Sequence, residues 1–161
     1  MASSTNFMRV PTILTQSSTA YHRGRNPCYP EEYSFPGALS MTTSINLAEK
    51  FSLFSEHWRP KVIARLNDQE IKLIKVQGEF PWHHHENEDE FFLVFKGSFR
   101  VEFRDHIVTL NPGECIVVPR GTEHRTCADE EAEILCFEPA GVLNTGNISD
   151  ATFTAPNNVK I

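Results

Sequence analysis

Between Gly78 and Gly97 the chain reads GEFPWHHHENEDEFFLVFKG, and no other stretch restricts the fold as tightly. In an extended strand, side chains at i and i+2 point the same way. His83 and His85 therefore share one wall, and His84 faces the other. Five residues after His85, Glu90 opens an apolar run, so a returning strand would carry its carboxylate back toward the two imidazoles. Those are three parts of a metal site. The fourth comes from a second segment, GECIVVPRGTEH, running from Gly113 to His124. There Pro119 and Gly121 build a turn just before His124, and a fixed turn holds a ligand's backbone in place.

From Pro60 onward apolar residues recur with period two. The pattern predicts strands near 61–67, 70–77, 90–96, 98–104, 106–110, 114–118, 123–127 and 132–138, punctuated by turn residues such as Asn67-Asp68, Gly97-Ser98 and Asn111-Pro112-Gly113. Many short strands with little helix indicate an all-β sandwich or barrel. A helix is predicted ahead of them, within 44–55. Asn46 is its N-cap, and Leu47, Phe51 and Phe54 form one apolar stripe. Phe92 and Val94 lie on Glu90's side of their strand, while Phe91, Leu93 and Phe95 lie on the other. Both faces are apolar, so the outer one needs a cover. The helix or a second copy would supply it, and a homodimer is expected. The same alternation turns Asp89 away from the site if Glu90 points in. Phe80, Trp82, Phe92, Phe99, Phe103 and Phe137 are candidates to line an internal cavity. Arg65, Gln77 and Arg125 are candidate polar contacts or plain surface groups.

A length of 161 residues suits one domain with a real core. No apolar run approaches the roughly 20 residues of a membrane span. A net charge of −6 argues against a nucleic-acid or anionic-membrane partner. Residues 1–43 form an N-terminal extension. Its first 30 residues hold Arg9, Arg23 and Arg25 and no acid. That composition fits a transit segment, a flexible tail, or an upstream start before Met41. Residues 44–139 are expected to form the domain and 140–161 an Asn/Thr/Gly-rich tail, loose or packed on a neighbour. Cys28, Cys115, Cys127 and Cys136 have no CxxC or disulfide spacing. Cys115 and Cys136 sit in apolar runs and are expected to be buried thiols. A reducing, cytoplasmic setting follows, or an organelle if residues 1–43 are a transit segment.

The two histidine segments together resemble the motifs of the small single-domain cupins of type 2. Gly78, His83, His85, Glu90 and Gly97 match the first motif. Gly113, Pro119, Gly121 and His124 match the second, after 15 intervening residues. Two departures stand out: four residues rather than five separate Gly78 from His83, and Ala128 replaces a closing Asn. The resemblance implies a double-stranded β-helix, or jelly-roll barrel. It implies a single divalent transition metal held by His83, His85, Glu90 and His124. This donor set suits Fe, Mn, Ni, Zn or Cu. Glu90 would balance the charge and is the catalytic candidate, able to accept a proton. The implied activity is oxygen-dependent oxidation of a small organic molecule, as in a dioxygenase, with substrate and oxygen on adjacent positions of the ion. A sugar isomerase or a non-catalytic binding module are the alternatives.

Overall fold

The computed structural model describes residues 43–161; the extension before them, with Cys28 and Met41, lies outside. One short helix, α1 (Leu47–Phe51), precedes seven strands: β1 (Lys61–Leu66), β2 (Gln69–Glu79), β3 (Glu90–Lys96), β4 (Phe99–Phe103), β5 (Ile107–Leu110), β6 (Cys115–Val118) and β7 (His124–Pro139). All pairings between them are antiparallel. The fold is an all-β jelly roll, as the resemblance implies and within the sandwich-or-barrel class that the two-residue periodicity indicates.

The two strands expected at 123–127 and 132–138 are one. β7 runs unbroken for 16 residues. The polar stretch from Asp129 to Glu131 resembles a turn in sequence, yet it is a bulge. Ala128 pairs with Gly78 and Ala132 with Val76, so both sides of it stay in the β2 ladder. Such an insertion bends a strand without ending it. Before the bulge β7 pairs with β4, and after it with β3. β7 thus touches β2, β3 and β4, and it is the spine of the barrel. Gly97 turns the chain from β3 to β4 at φ 82°. A Cβ there would stand 2.8 Å from the Glu131 carbonyl oxygen, so only glycine lets the bulge pass.

The inward faces of β2, β3, β4 and β7 pack Ile74, Val76, Phe92, Val94, Phe99, Val101, Ile134 and Cys136 into the main core. A second cluster lies outside the barrel wall. Phe51 and Phe54 pack there with Ile63, Leu73 and Leu135. Phe91, Leu93 and Phe137 join its rim, and the Phe51 ring stacks on Phe95 at 5.4 Å. The cover for the outer apolar face is therefore α1. Asn46 caps it as expected, its side chain accepting from the Glu49 amide at 3.3 Å. The helix ends at Phe51, where the Ser52 amide closes on the carbonyls of Ala48 and Glu49. Phe54 reaches the cluster through the turn that follows. Cys115 is exposed, against expectation, because the edge strand β6 points Cys115 and Val117 outward and Val118 inward. Cys127 and Cys136 are buried. No helix among the described residues is long and apolar enough to cross a membrane.

Phe51 is 1% exposed. Phe51→Ala should lower unfolding free energy by about 3 kcal/mol or more. Urea denaturation with an unchanged m-value checks it.

Candidate metal centre

Two backbone hydrogen bonds bring the distant histidine segments together. The His83 amide donates to the His124 carbonyl, and the His124 amide to the His83 carbonyl, each at 2.9 Å. The Gly121 amide adds a third bond, 2.7 Å to the His85 carbonyl. Glu90 enters from the start of β3. All four predicted residues are buried: His83 is 3%, His85 4%, Glu90 6% and His124 1% exposed. The Oε2 atom of Glu90 lies 3.3 Å from His124 Nε2 and 3.4 Å from His85 Nε2.

The hydrogen-bond chemistry around these atoms calls for a cation. His83 Nδ1 lies 3.0 Å from the Pro81 carbonyl, and His124 Nδ1 lies 3.0 Å from the Thr122 carbonyl. A carbonyl only accepts, so both Nδ1 atoms carry the proton and both Nε2 atoms present lone pairs. Backbone carbonyls commonly fix metal-ligating histidines in this way. His85 Nε2, His124 Nε2 and Glu90 Oε2 are buried without a hydrogen-bond partner. Acceptors facing one another away from water are costly unless a positive charge joins them. The residues present therefore fit a divalent metal ion.

Among the described residues, two groups place their ligand atoms within 4.8 Å of one another: His83, Glu90 and His124, and His85, Glu90 and Glu138. Glu90 is common to both. The His85 ring lies beside that of His83, 5.3 Å between centroids, and 6.4 Å from that of His124. Burial and the neighbouring His124 push the His83 pKa down to about 4, so its ring is neutral and ready to ligate. For His85 burial acts in the same direction, but the Glu90 carboxylate outweighs it and the pKa rises. Burial and the Glu90 charge push Glu138 up to about 7.

The charged members of this site that the histidine spacing does not disclose are Glu138, Lys72 and Glu70. Lys72 Nζ lies 2.8 Å from Glu138 Oε1 and 3.4 Å from Glu70 Oε2, and all three side chains are at most 4% exposed. Arg65 closes the row, 2.7 Å from Glu70 Oε1. A sequence signal existed. Glu70 and Lys72 share the inward register of Ile74 and Val76, and Glu138 that of Ile134 and Cys136. A charge on the apolar side of a strand is a buried charge.

A cavity adjoins the centre, in which the middle of a water-sized sphere can range over about 30 Å3. Its walls include Trp58, Phe80, Phe92, Thr126, Asn144 and Glu138. Of the expected aromatic linings, Phe80 and Phe92 are there. Trp82 instead lies under the Arg104 guanidinium at 3.8 Å, and Phe137 belongs to the outer cluster. Phe99 and Phe103 belong to the main core rather than to the wall. Arg65 serves Glu70, Arg125 pairs with Glu79 and Glu102, and Gln77 is exposed, its backbone carbonyl accepting from Trp58 Nε1. Asp89 faces outward, as alternation requires, and binds the Arg120 side chain and amide.

Residues 71–138 match the family described as Cupin domain. The YdbB protein of Bacillus subtilis is 35% identical over 77 residues, 47% of this chain and 68% of its own length. A cupin-2 domain containing protein from Shewanella frigidimarina, known from its crystal structure, is 50% identical with a TM-score of 0.59, covering 59% of this chain and 93% of its own. The chain belongs to the cupin family. An acireductone dioxygenase of Bacillus licheniformis is 33% identical over 78 residues, 45% of this chain. The match spans only 44% of that enzyme's length.

In this cupin the candidate centre is held by a latch. The tail after β7, whose place the sequence left open, packs against the histidine loop. The Asn147 side chain accepts from the His84 amide at 2.8 Å, and the Asn147 amide donates to the His84 carbonyl at 3.0 Å. Gly146 lies so close beneath that a Cβ would meet the His84 carbonyl oxygen at 2.2 Å and His85 Nδ1 at 3.3 Å. Thr145 is fully buried and bonds Thr154. Farther on, Lys160 bridges to Val62 and covers the free edge of β1. His84 itself points outward and pairs with Glu86.

Gly146→Ala should force the latch off His84. The expected result is a loss of roughly 2 kcal/mol in the metal-free protein and about tenfold weaker metal binding, checked by thermal unfolding and by metal titration.

Proposed function

We propose that this cupin is a metal-dependent enzyme that oxidises a small organic molecule with O2. The observation that carries the proposal is the buried convergence of His83, His85 and His124 on Glu90, with three of their donor atoms unpartnered. The likeness of residues in this region to an acireductone dioxygenase favours oxidation over sugar isomerisation. His83, His85, Glu90 and His124 would hold one divalent transition metal, chosen from Fe, Mn, Ni, Zn or Cu. The ion supplies a Lewis acid and, for Fe, Mn, Ni or Cu, redox chemistry when bound.

The chain's own groups do the rest. The Pro81 and Thr122 carbonyls hold two imidazoles in the ligating tautomer. Glu90 offers Oε2 to the centre, while Cys136 Sγ stands 3.9 Å from Oε1. Trp58, Phe80 and Phe92 give the cavity apolar walls that exclude water, and Thr126 and Asn144 supply its neutral polar contacts. The narrow space favours a small substrate. The buried thiols Cys127 and Cys136 are free, which suits a reducing, cytoplasmic setting.

Purified protein should carry about one divalent transition metal per chain by elemental analysis. Reconstituted with Fe, Mn or Ni, it should consume O2 with at least one member of a panel of acireductone, phenolic and keto-acid substrates, and His85→Ala should abolish that uptake. Metal retention with silence across the panel would point instead to a binding module.

A homodimer is part of the same proposal. With α1 in place, Val117 is still 56%, Leu53 62% and Phe95 37% exposed. Val117 and Phe95 belong to the outer face shared by β3 and β6, and an apolar patch there fits a second copy. Light scattering should give twice the chain mass, and Val117→Lys should return it to one.

A further inference from the structure

Glu138 has no place in the four-residue centre, yet it is set at that centre. The β3–β7 ladder pairs Phe92 with Cys136 and Phe91 with Phe137. One step further, the same register puts Glu138 opposite Glu90. Like charges directly opposite on paired strands repel, and these two are 2% and 6% exposed, out of reach of water. Lys72 neutralises only one side, bonding Glu138 Oε1 at 2.8 Å. Oε2 of Glu138 is buried with no hydrogen-bond partner, and a carboxylate oxygen of Glu138 lies within 4.8 Å of ligand atoms of His85 and Glu90. The row that leads to the centre holds three buried carboxylates, on Glu70, Glu90 and Glu138, against the Lys72 ammonium and the half-exposed Arg65. A cation between Glu90 and Glu138 removes the repulsion, fills the empty position on Oε2 and balances the charge.

We propose that Glu138 is a fifth protein ligand, binding the ion through Oε2 while Lys72 holds Oε1 and keeps the carboxylate monodentate. The inference rests on the metal centre proposed above. Three imidazoles and two carboxylates suit a six-coordinate, harder divalent ion such as Mn2+ or Fe2+ better than tetrahedral Zn2+. Five protein donors leave one open position instead of two. The cavity wall, not the ion, then holds the organic substrate.

The test uses the full chain, stripped of metal and loaded with Co2+ or Mn2+. Glu138→Gln keeps the volume and the bond to Lys72. Glu138→Leu removes the charge from an apolar wall. Each should weaken Co2+ binding by about 10- to 100-fold in a chelator competition and raise the intensity of the Co2+ visible bands as coordination falls. Thr109→Val, exposed on β5 and outside both groups, should change neither. Water-proton relaxation on the Mn2+-loaded wild-type protein needs no variant and should count one exchangeable water. Unchanged affinity and spectrum in both Glu138 variants, or two exchangeable waters in the wild type, would overturn the fifth ligand and leave the four-residue centre standing. Failure of the wild-type chain to bind either ion would remove both.

Discussion

The reciprocal pair of backbone hydrogen bonds between His83 and His124 is the joint on which this molecule turns. The two residues are 41 positions apart in the chain; His83 lies in the loop after β2 and His124 opens β7. Once their amides and carbonyls are matched, both side chains fall on the same side, as opposed residues of an antiparallel pair must. The carbonyls of Pro81 and Thr122, each two residues upstream, then receive the two Nδ1 protons in the same manner. One local geometry is used twice, and it leaves two imidazole lone pairs converging on Glu90. The Asp89–Arg120 pair on the rim reinforces the same junction from outside.

Much of the fold can be read from periodicity because burial in a barrel follows side-chain parity. The inward positions of β3 and β4 alternate as written, and the histidine spacing gives the wall on which His83 and His85 stand. Parity fails in identifiable places. Asp129 to Glu131 is acidic and exposed, which in sequence is indistinguishable from a turn; only the pairing on either side, through Gly78 and Val76, makes it a bulge. Cys115 lies in an apolar run but on an edge strand, where the outward face has no neighbour. The tail has no period at all. Its attachment runs through main-chain groups, asparagine amides and one glycine contact, none of which leaves a hydrophobic pattern.

The row Arg65, Glu70, Lys72 and Glu138 marks the other limit. Polarity sorts residues to the surface in most sequences, so a charged residue near a strand end is read as exposed. Here parity and polarity disagree at three positions, and parity prevails. Burying so many charges is unfavourable unless they are mutually satisfied. Arg65 offsets Glu70 and Lys72 offsets Glu138 in charge, which leaves Glu90 over at the histidines, although Arg65 Nε, Glu70 Oε2 and Glu138 Oε2 keep no hydrogen-bond partner. The imbalance is thereby concentrated at one point of the interior, the point where a cation can relieve it.

β7 also divides the chain into regions of unequal tolerance to changes in length. Its two ends bring His124, at the start, and Glu138, near the finish, to the candidate centre, and the paired residues on either side of the bulge keep their parity. A single inserted or deleted codon in either half would invert that parity and exchange Glu138 for Phe137 at the inner wall. The unpaired acidic residues of the bulge escape this constraint, since they match no partner on β2. Only there would a change of length leave the frame of both flanking ladders intact, and even there the Glu131 carbonyl oxygen packed on Gly97 limits how much backbone can be added.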